Sequence, residues 1–220
     1  RRQMTDRKTL PEYPYNYVFD SAGNYFLATD RGLLIYTKYG LSPIVLPMVR
    51  AEALLLAADG KLWAGTWEYG LYRIEYDIKK PNPDFIARDI TPVIKSKYIR
   101  RLYEDSKGNM WVGTRYDGAF CLSRKNDTAY NLLHIGQADG LMSDWARCFA
   151  EDRAGNMWVG TSLGLDKLVT ENNTIRVFNF SRINNFFGQI DEIIPVMDNT
   201  IFFMANGRLI QFSDEQLEQE

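Results

Sequence analysis

Short apolar runs broken by turn residues recur along this chain with a period far shorter than a domain. In the clearest unit, Tyr98 to Glu104 reads as a first strand, with apolar positions at Ile99, Leu102 and Tyr103, and Asp105-Ser106-Lys107-Gly108 reads as a turn. Asn109 to Thr114 is a second apolar run, Arg115 to Gly118 a second turn, and Ala119 to Arg124 a third run. Lys125 to Thr128 turns again, Ala129 to Ile135 forms a fourth run, and Gly136 to Asp144 crosses to the next unit. Runs of this length, bounded by Gly, Asn, Asp and Ser, predict four short antiparallel strands. Helical periodicity is nearly absent.

The unit is a repeat. Asp105-Ser106-Lys107-Gly108-Asn109-Met110-Trp111-Val112-Gly113-Thr114 returns as Asp152-Arg153-Ala154-Gly155-Asn156-Met157-Trp158-Val159-Gly160-Thr161. Looser copies run from Asp20 to Thr29 and from Asp59 to Thr66, and a decayed fifth runs from Asp198 to Leu209. A period of about 40 to 50 residues carrying turn, aromatic strand and turn marks a β-propeller array. The expected fold is therefore all-β, about five four-stranded blades spanning residues 17–213. Residues 1–16 read as a linker or a terminal strand, and residues 214–220 as an acidic tail. The stretch Asp77 to Lys97, with Pro81, Pro83 and Pro92, reads as a loop insertion.

Positions that recur have scaffold roles. The turn glycine is expected at positive φ. Asp105 and Asp152 are expected to cap the turn with side-chain oxygens. Trp63, Trp111 and Trp158, with Phe26 and Phe202, mark one inter-blade packing position, and the Gly-Thr ending permits close backbone approach. Glu104 and Glu151 also recur and read as structural. Function must then sit where the copies differ.

Composition narrows the field. The 220 residues are 45 % hydrophobic and 14 % aromatic, enough for a large core. With 26 basic and 28 acidic side chains the net charge is −2, so no broad basic field exists for nucleic acid or anionic membrane. Cys121 and Cys148 have no metal spacing and read as small buried thiols. The single histidine, His134, lies in an expected strand and reads as structural or surface. No signal peptide is evident at Arg1, and no apolar run is long enough to cross a membrane. No metal cluster, nucleophile–base pair or phosphate loop is present, so no catalytic residue and no cofactor are expected.

The stretch Leu102 to Gly118, Leu-Tyr-Glu-Asp-x-x-Gly-Asn-x-Trp-Val-Gly-Thr-x-x-x-Gly, resembles the two-component regulator propeller repeat. Asp139-Gly140-Leu141-Met142-Ser143, then Phe149-Ala150-Glu151-Asp152 and Gly164-Leu165-Asp166-Lys167-Leu168, resemble that family's linker and following blade. The resemblance covers about residues 15–212 and implies the periplasmic sensor region of a membrane histidine kinase, often a hybrid one. It implies phosphorelay signalling with a carbohydrate as stimulus, and propellers that usually have seven blades. Five repeats without signalling parts fit either a fragment or a smaller propeller.

In propellers, ligands bind on the face where second-to-third-strand loops and inter-blade crossings emerge. Those loops carry Trp67, Glu68 and Tyr69 in one unit and Arg115, Tyr116 and Asp117 in the next. The crossings add Trp145, and Arg100 and Arg147 stand at equivalent starts of first strands, where they would line the axial channel. Flat aromatics with carboxylates and guanidinium groups suit a sugar. The same residues suit a protein interface, with a homodimer or adjacent propeller blades as partner. An enzyme reading, a glycosidase or lyase, would need facing carboxylates such as Glu68 and Asp117. The turn spacing departs from the sialidase box by one residue.

Overall fold

The computed structural model describes residues 14–42, 45–78, 84–127, 129–171, 174–195 and 200–213. Five antiparallel sheets follow one another along the chain. Blade 1 holds β1 (Asn16–Phe19), β2 (Tyr25–Thr29), β3 (Gly32–Thr37) and β4 (Gly40–Leu41). Blade 2 holds β5 (Ala51–Leu56), β6 (Leu62–Thr66), β7 (Leu71–Asp77) and β8 (Asp84–Asp89). Blade 3 holds β9 (Ile99–Glu104), β10 (Met110–Thr114), β11 (Ala119–Arg124) and β12 (Tyr130–Ile135). Blade 4 holds β13 (Ala146–Glu151), β14 (Met157–Thr161), β15 (Leu165–Glu171) and β16 (Thr174–Phe178). Blade 5 holds β17 (Ile190–Pro195), β18 (Thr200–Ala205) and β19 (Arg208–Ser213). The fifth blade thus has three strands among the described residues, against four expected. The first strands are innermost and pack in sequence: β1 on β5, β5 on β9, β9 on β13 and β13 on β17.

Alternation along each second strand builds the stack, because successive side chains of a strand point to opposite faces. Trp63, Trp111 and Trp158 point forward into the cores shared with blades 3, 4 and 5. Phe26 does the same toward blade 2. Leu62, Met110, Met157 and Ile201 point backward from the adjacent position. Phe202, at the tryptophan register of blade 5, is half-buried. The recurring aromatic is therefore a packing position, and Gly65, Gly113 and Gly160 let the next inner strand approach it. A Cβ on Gly113 would stand 2.7 Å from Ala146 O, and one on Gly160 2.7 Å from Ile190 Cγ2.

The repeat phrase is a hydrogen-bond network. Asp105 Oδ1 accepts from the Lys107 and Asn109 N–H groups, and Oδ2 accepts from Asn109 Nδ2 (2.9 Å) and Trp111 Nε1 (3.0 Å). Asp152 repeats this with Asn156 and Trp158. Burial works against ionisation of Asp152, but these donors and the Lys167 charge outweigh it and hold the carboxyl below its usual range. The following Thr closes the next turn: Thr114 Oγ1 donates to Gly118 O and Thr161 Oγ1 to Gly164 O. Glu104 and Glu151 clasp adjacent blades, accepting from the Ala58 N–H and from the Ser106 N–H and Oγ, each at 2.7 Å.

One expectation fails within Asp77 to Lys97. That segment holds the fourth strand of blade 2, β8, and a helical turn, α1 (Thr91–Ile94), which drops Ile94 into the core between blades 2 and 3. β8 is an outer strand with most residues exposed, so no alternation marks it in the sequence. Pro92 is the second residue of the helical turn, where its fixed φ is favourable and its missing N–H costs no helical bond; Pro81 and Pro83 lie outside the described residues. A second helical turn, α2 (Phe180–Ile183), seats Phe180 against Trp158. The expected linker (residues 1–16) lies largely outside the described residues, and the tail (residues 214–220) wholly so.

Candidate functional site

The three central blades hold equivalent residues at one end of the stack. In each, the residue after the second strand donates its backbone N–H to the residue before the first. Trp67 N–H donates to Arg50 O at 2.9 Å, Arg115 N–H to Tyr98 O at 3.0 Å, and Ser162 N–H to Trp145 O at 3.1 Å. These bonds fix the side chains where one blade meets the next.

What results is a ladder of alternating guanidinium groups and rings. The Arg50 guanidinium lies 4.4 Å from the Tyr15 ring centre and 5.2 Å from Trp67. The Arg115 guanidinium lies 5.1 Å from Trp67, 5.6 Å from Tyr116 and 4.2 Å from Trp145. Arg147 continues the series, 4.7 Å from Trp145. Tyr98 meets Trp67 and Tyr116 edge to face, each at 5.2 Å. Such contacts favour a cation over a ring face by about 0.5–2 kcal/mol each. The Trp145 Nε1 and Arg50 Nε atoms are buried without hydrogen-bond partners among the described residues, so the ladder holds unmet donors.

Beside the ladder, four inner strands bulge at one residue each: Glu52, Arg100, Arg147 and Asp191. A bulge re-aims its side chain out of the pleat, and here it sets charges between adjacent blades. The buried Glu52 carboxylate takes Arg100 Nη1 at 3.0 Å and also Arg50. Asp191 takes Arg147 Nη2 at 3.0 Å and Gln189 Nε2. Arg101 Nη2 reaches both Glu192 oxygens at 2.8 Å across the width of blade 4.

Of the residues expected at this face, Trp67, Arg115, Tyr116, Trp145 and Arg147 come together in the ladder. Arg100 is held at its bulge by Glu52. Asp117 accepts from Ser96 Oγ at 2.7 Å. Glu68 sits at φ +78°, a strained conformation for a residue with a side chain. Glu68 and Tyr69 are exposed and, among the described residues, join no ring or guanidinium of the ladder. Sequence reasoning missed Tyr15, Arg50, Tyr98, Glu52 and Asp191. The position just before each first strand, compared between units, would have shown Arg50, Tyr98 and Trp145 as equivalents.

Other groups play scaffold parts. Cys121 and Cys148 are buried free thiols, each pushed up to about 12 by burial. His134 stacks on Phe120 with ring centres 4.6 Å apart, and its Nε2 lies 2.8 Å from Asp117 O. Burial raises Asp166 to about 6, although it accepts from the Met142 N–H and Asn179 Nδ2 and so ties the crossing loop to blade 4. Among the described residues no three His, Cys, Asp or Glu side chains are grouped to hold a metal, and no helix is long and apolar enough to cross a membrane. Two grooves lie away from the ladder. One, of about 260 Å³, runs between β12 and β16; the other, about 380 Å³ and largely apolar, lies between β1 and β5.

Comparison with known proteins agrees with this architecture. The extracellular domain of the hybrid two component system BT3049 from B. thetaiotaomicron superposes with a TM-score of 0.70 at 19 % identity, over 93 % of this chain and 28 % of that one. The corresponding domain of BT4673 gives 0.68 at 18 %, over 92 % and 30 %. Virginiamycin B lyase from Staphylococcus aureus gives 0.58 at 12 %, over 90 % and 68 %. At these identities the likeness is one of fold, and the chain spans less than a third of the two sensor domains. No curated protein sequence matches it. The family model "Two component regulator propeller" matches residues 94–116 and 140–162, the crossings and first two strands of blades 3 and 4. The fold is that of β-propeller blades, and blades 3 and 4 carry the stretches that match the two-component regulator propeller model.

Proposed function

We propose that this segment is the ligand-perceiving part of an extracytoplasmic two-component sensor, periplasmic in a membrane-anchored parent, and that the ladder face binds a carbohydrate. The observation that carries this reading is the exposed Tyr116 ring, 5.6 Å from the Arg115 guanidinium at the edge of the Trp67–Arg115–Trp145–Arg147 run, which places an open ring beside hydrogen-bond donors where blades 2, 3 and 4 meet. Sugar rings stack their apolar faces on aromatics, and their hydroxyls pair with charged groups. The family model and the two-component neighbours support the sensor part of this reading. The segment acts by binding rather than by bond chemistry: Glu52, Asp191 and Asp117 are each engaged by a neighbouring side chain, which supports scaffolding rather than proton transfer. Ligand seated across three blades would shift their packing and bias a kinase elsewhere in the parent.

Calorimetric titration of neutral and acidic oligosaccharides tests this, with Trp67→Ala and Tyr116→Ala as variants and thermal melts as the folding control. Saturable binding weakened in both variants supports the face. Binding that neither variant changes removes it. Hydrolysis or elimination of the sugars, abolished by Glu68→Gln, would install the enzyme reading instead.

A further inference from the structure

The ladder's charges are unequally neutralised, and the imbalance sits at one residue. Arg50 and Arg100 share Glu52, and Arg147 has Asp191. Arg115 has no carboxylate and no side-chain hydrogen bond among the described residues, although its guanidinium lies between Trp67 and Trp145. Its backbone is anchored through Tyr98 O. Rings on either side restrict water access to the fork and hold its plane, while its N–H donors stay unspent. A guanidinium so placed matches a planar oxyanion, which it can take in two parallel hydrogen bonds.

Resting on the carbohydrate reading above, we propose that Arg115 receives the acidic group of an anionic saccharide, a ring carboxylate or sulfate. The exposed Tyr116 ring offers the adjoining surface for the sugar's apolar face. The neutralised arginines then serve as hydroxyl donors and scaffold, and Arg115 sets the preference for charge. A neutral sugar would leave the Arg115 cation without a counter-charge and gain less from the same rings.

Calorimetry on the folded chain at low salt tests this with oligogalacturonate, its fully methyl-esterified form, a sulfated oligosaccharide and the desulfated parent. The expected result is tighter binding of at least one acidic member than of its neutral counterpart, by about tenfold or more, shrinking as salt is added. Arg115→Gln should bring acidic and neutral affinities together, and Arg115→Lys should keep part of the preference. Whichever acidic member wins tells carboxylate from sulfate. Neutral members bound as tightly as acidic ones overturn this inference and leave the carbohydrate reading standing. An Arg115→Gln variant that loses both classes equally makes the residue structural and also overturns it. A chain that binds none of the panel overturns both readings.

Discussion

Arg101 and Glu192 form a two-pronged ion pair, Nη2 to both carboxylate oxygens at 2.8 Å, although an entire blade separates the strands that carry them. The pair ties blade 3 to blade 5 past blade 4. Both side chains are more than a third exposed, so solvent screens them. Each of Arg101→Ala and Glu192→Ala should therefore lower unfolding free energy by about 1 kcal/mol or less. A double-mutant cycle in urea checks this, and a coupling indistinguishable from zero would show that the tie is incidental.

Two kinds of glycine should respond differently to a methyl group. Gly160→Ala would drive a Cβ into Cys148 Sγ and Ile190 of the next blade, so a loss of about 3 kcal/mol or more is expected. Gly108→Ala has open space around it but a φ of +76°, so only the backbone term of about 1–2 kcal/mol applies. Equal losses in a denaturant series would contradict the close-approach account of the Gly-Thr ending.

Asp166 predicts a pH dependence with a definite sign. Its folded value, about 6, lies above the ordinary 3.8, so the folded state binds the proton more tightly than the unfolded one. Its contribution is fully present below about 3.8 and is lost as pH rises to about 6, on the order of 3 kcal/mol across that window. Asp166→Asn should remove that fall. Parallel stability–pH profiles of the two proteins between these limits would refute the assignment.

Both thiols should be silent in the folded protein. With Cys121 and Cys148 buried and held protonated, iodoacetamide should label neither at neutral pH until denaturant is added. Mass spectrometry of the native chain decides it.

The outer face of blade 1 should be adhesive. Phe19, Tyr25, Tyr36 and Leu41 stand opposite one another across the sheet, all about half exposed or more, on the face that in later blades meets the preceding one. Tyr25→Ser with Tyr36→Ser should reduce concentration-dependent light scattering of the isolated chain.

Much of this was legible beforehand because it is local. The period of Gly108 and Gly155, the Asp105 and Asp152 caps, the tryptophan register and the strand bounds of blade 3 follow from turn chemistry and side-chain alternation within a few residues. β8 was not legible: an exposed outer strand leaves no apolar pattern to read. The ladder was half legible. Trp67, Arg115 and Tyr116 were found as loop residues, Trp145 in a crossing and Arg147 at the start of a first strand, but neither their alternation nor the inclusion of Arg50 and Tyr98 could be seen.

The sequence by itself determined that blades repeat, because every bond defining a blade forms between neighbours in the chain. Only the tertiary structure decided which charges are spent. Whether Arg147 meets Asp191 while Arg115 meets only rings depends on bulges and blade spacing that bring together residues some 40 positions apart, and no local rule of hydrogen bonding reaches that far.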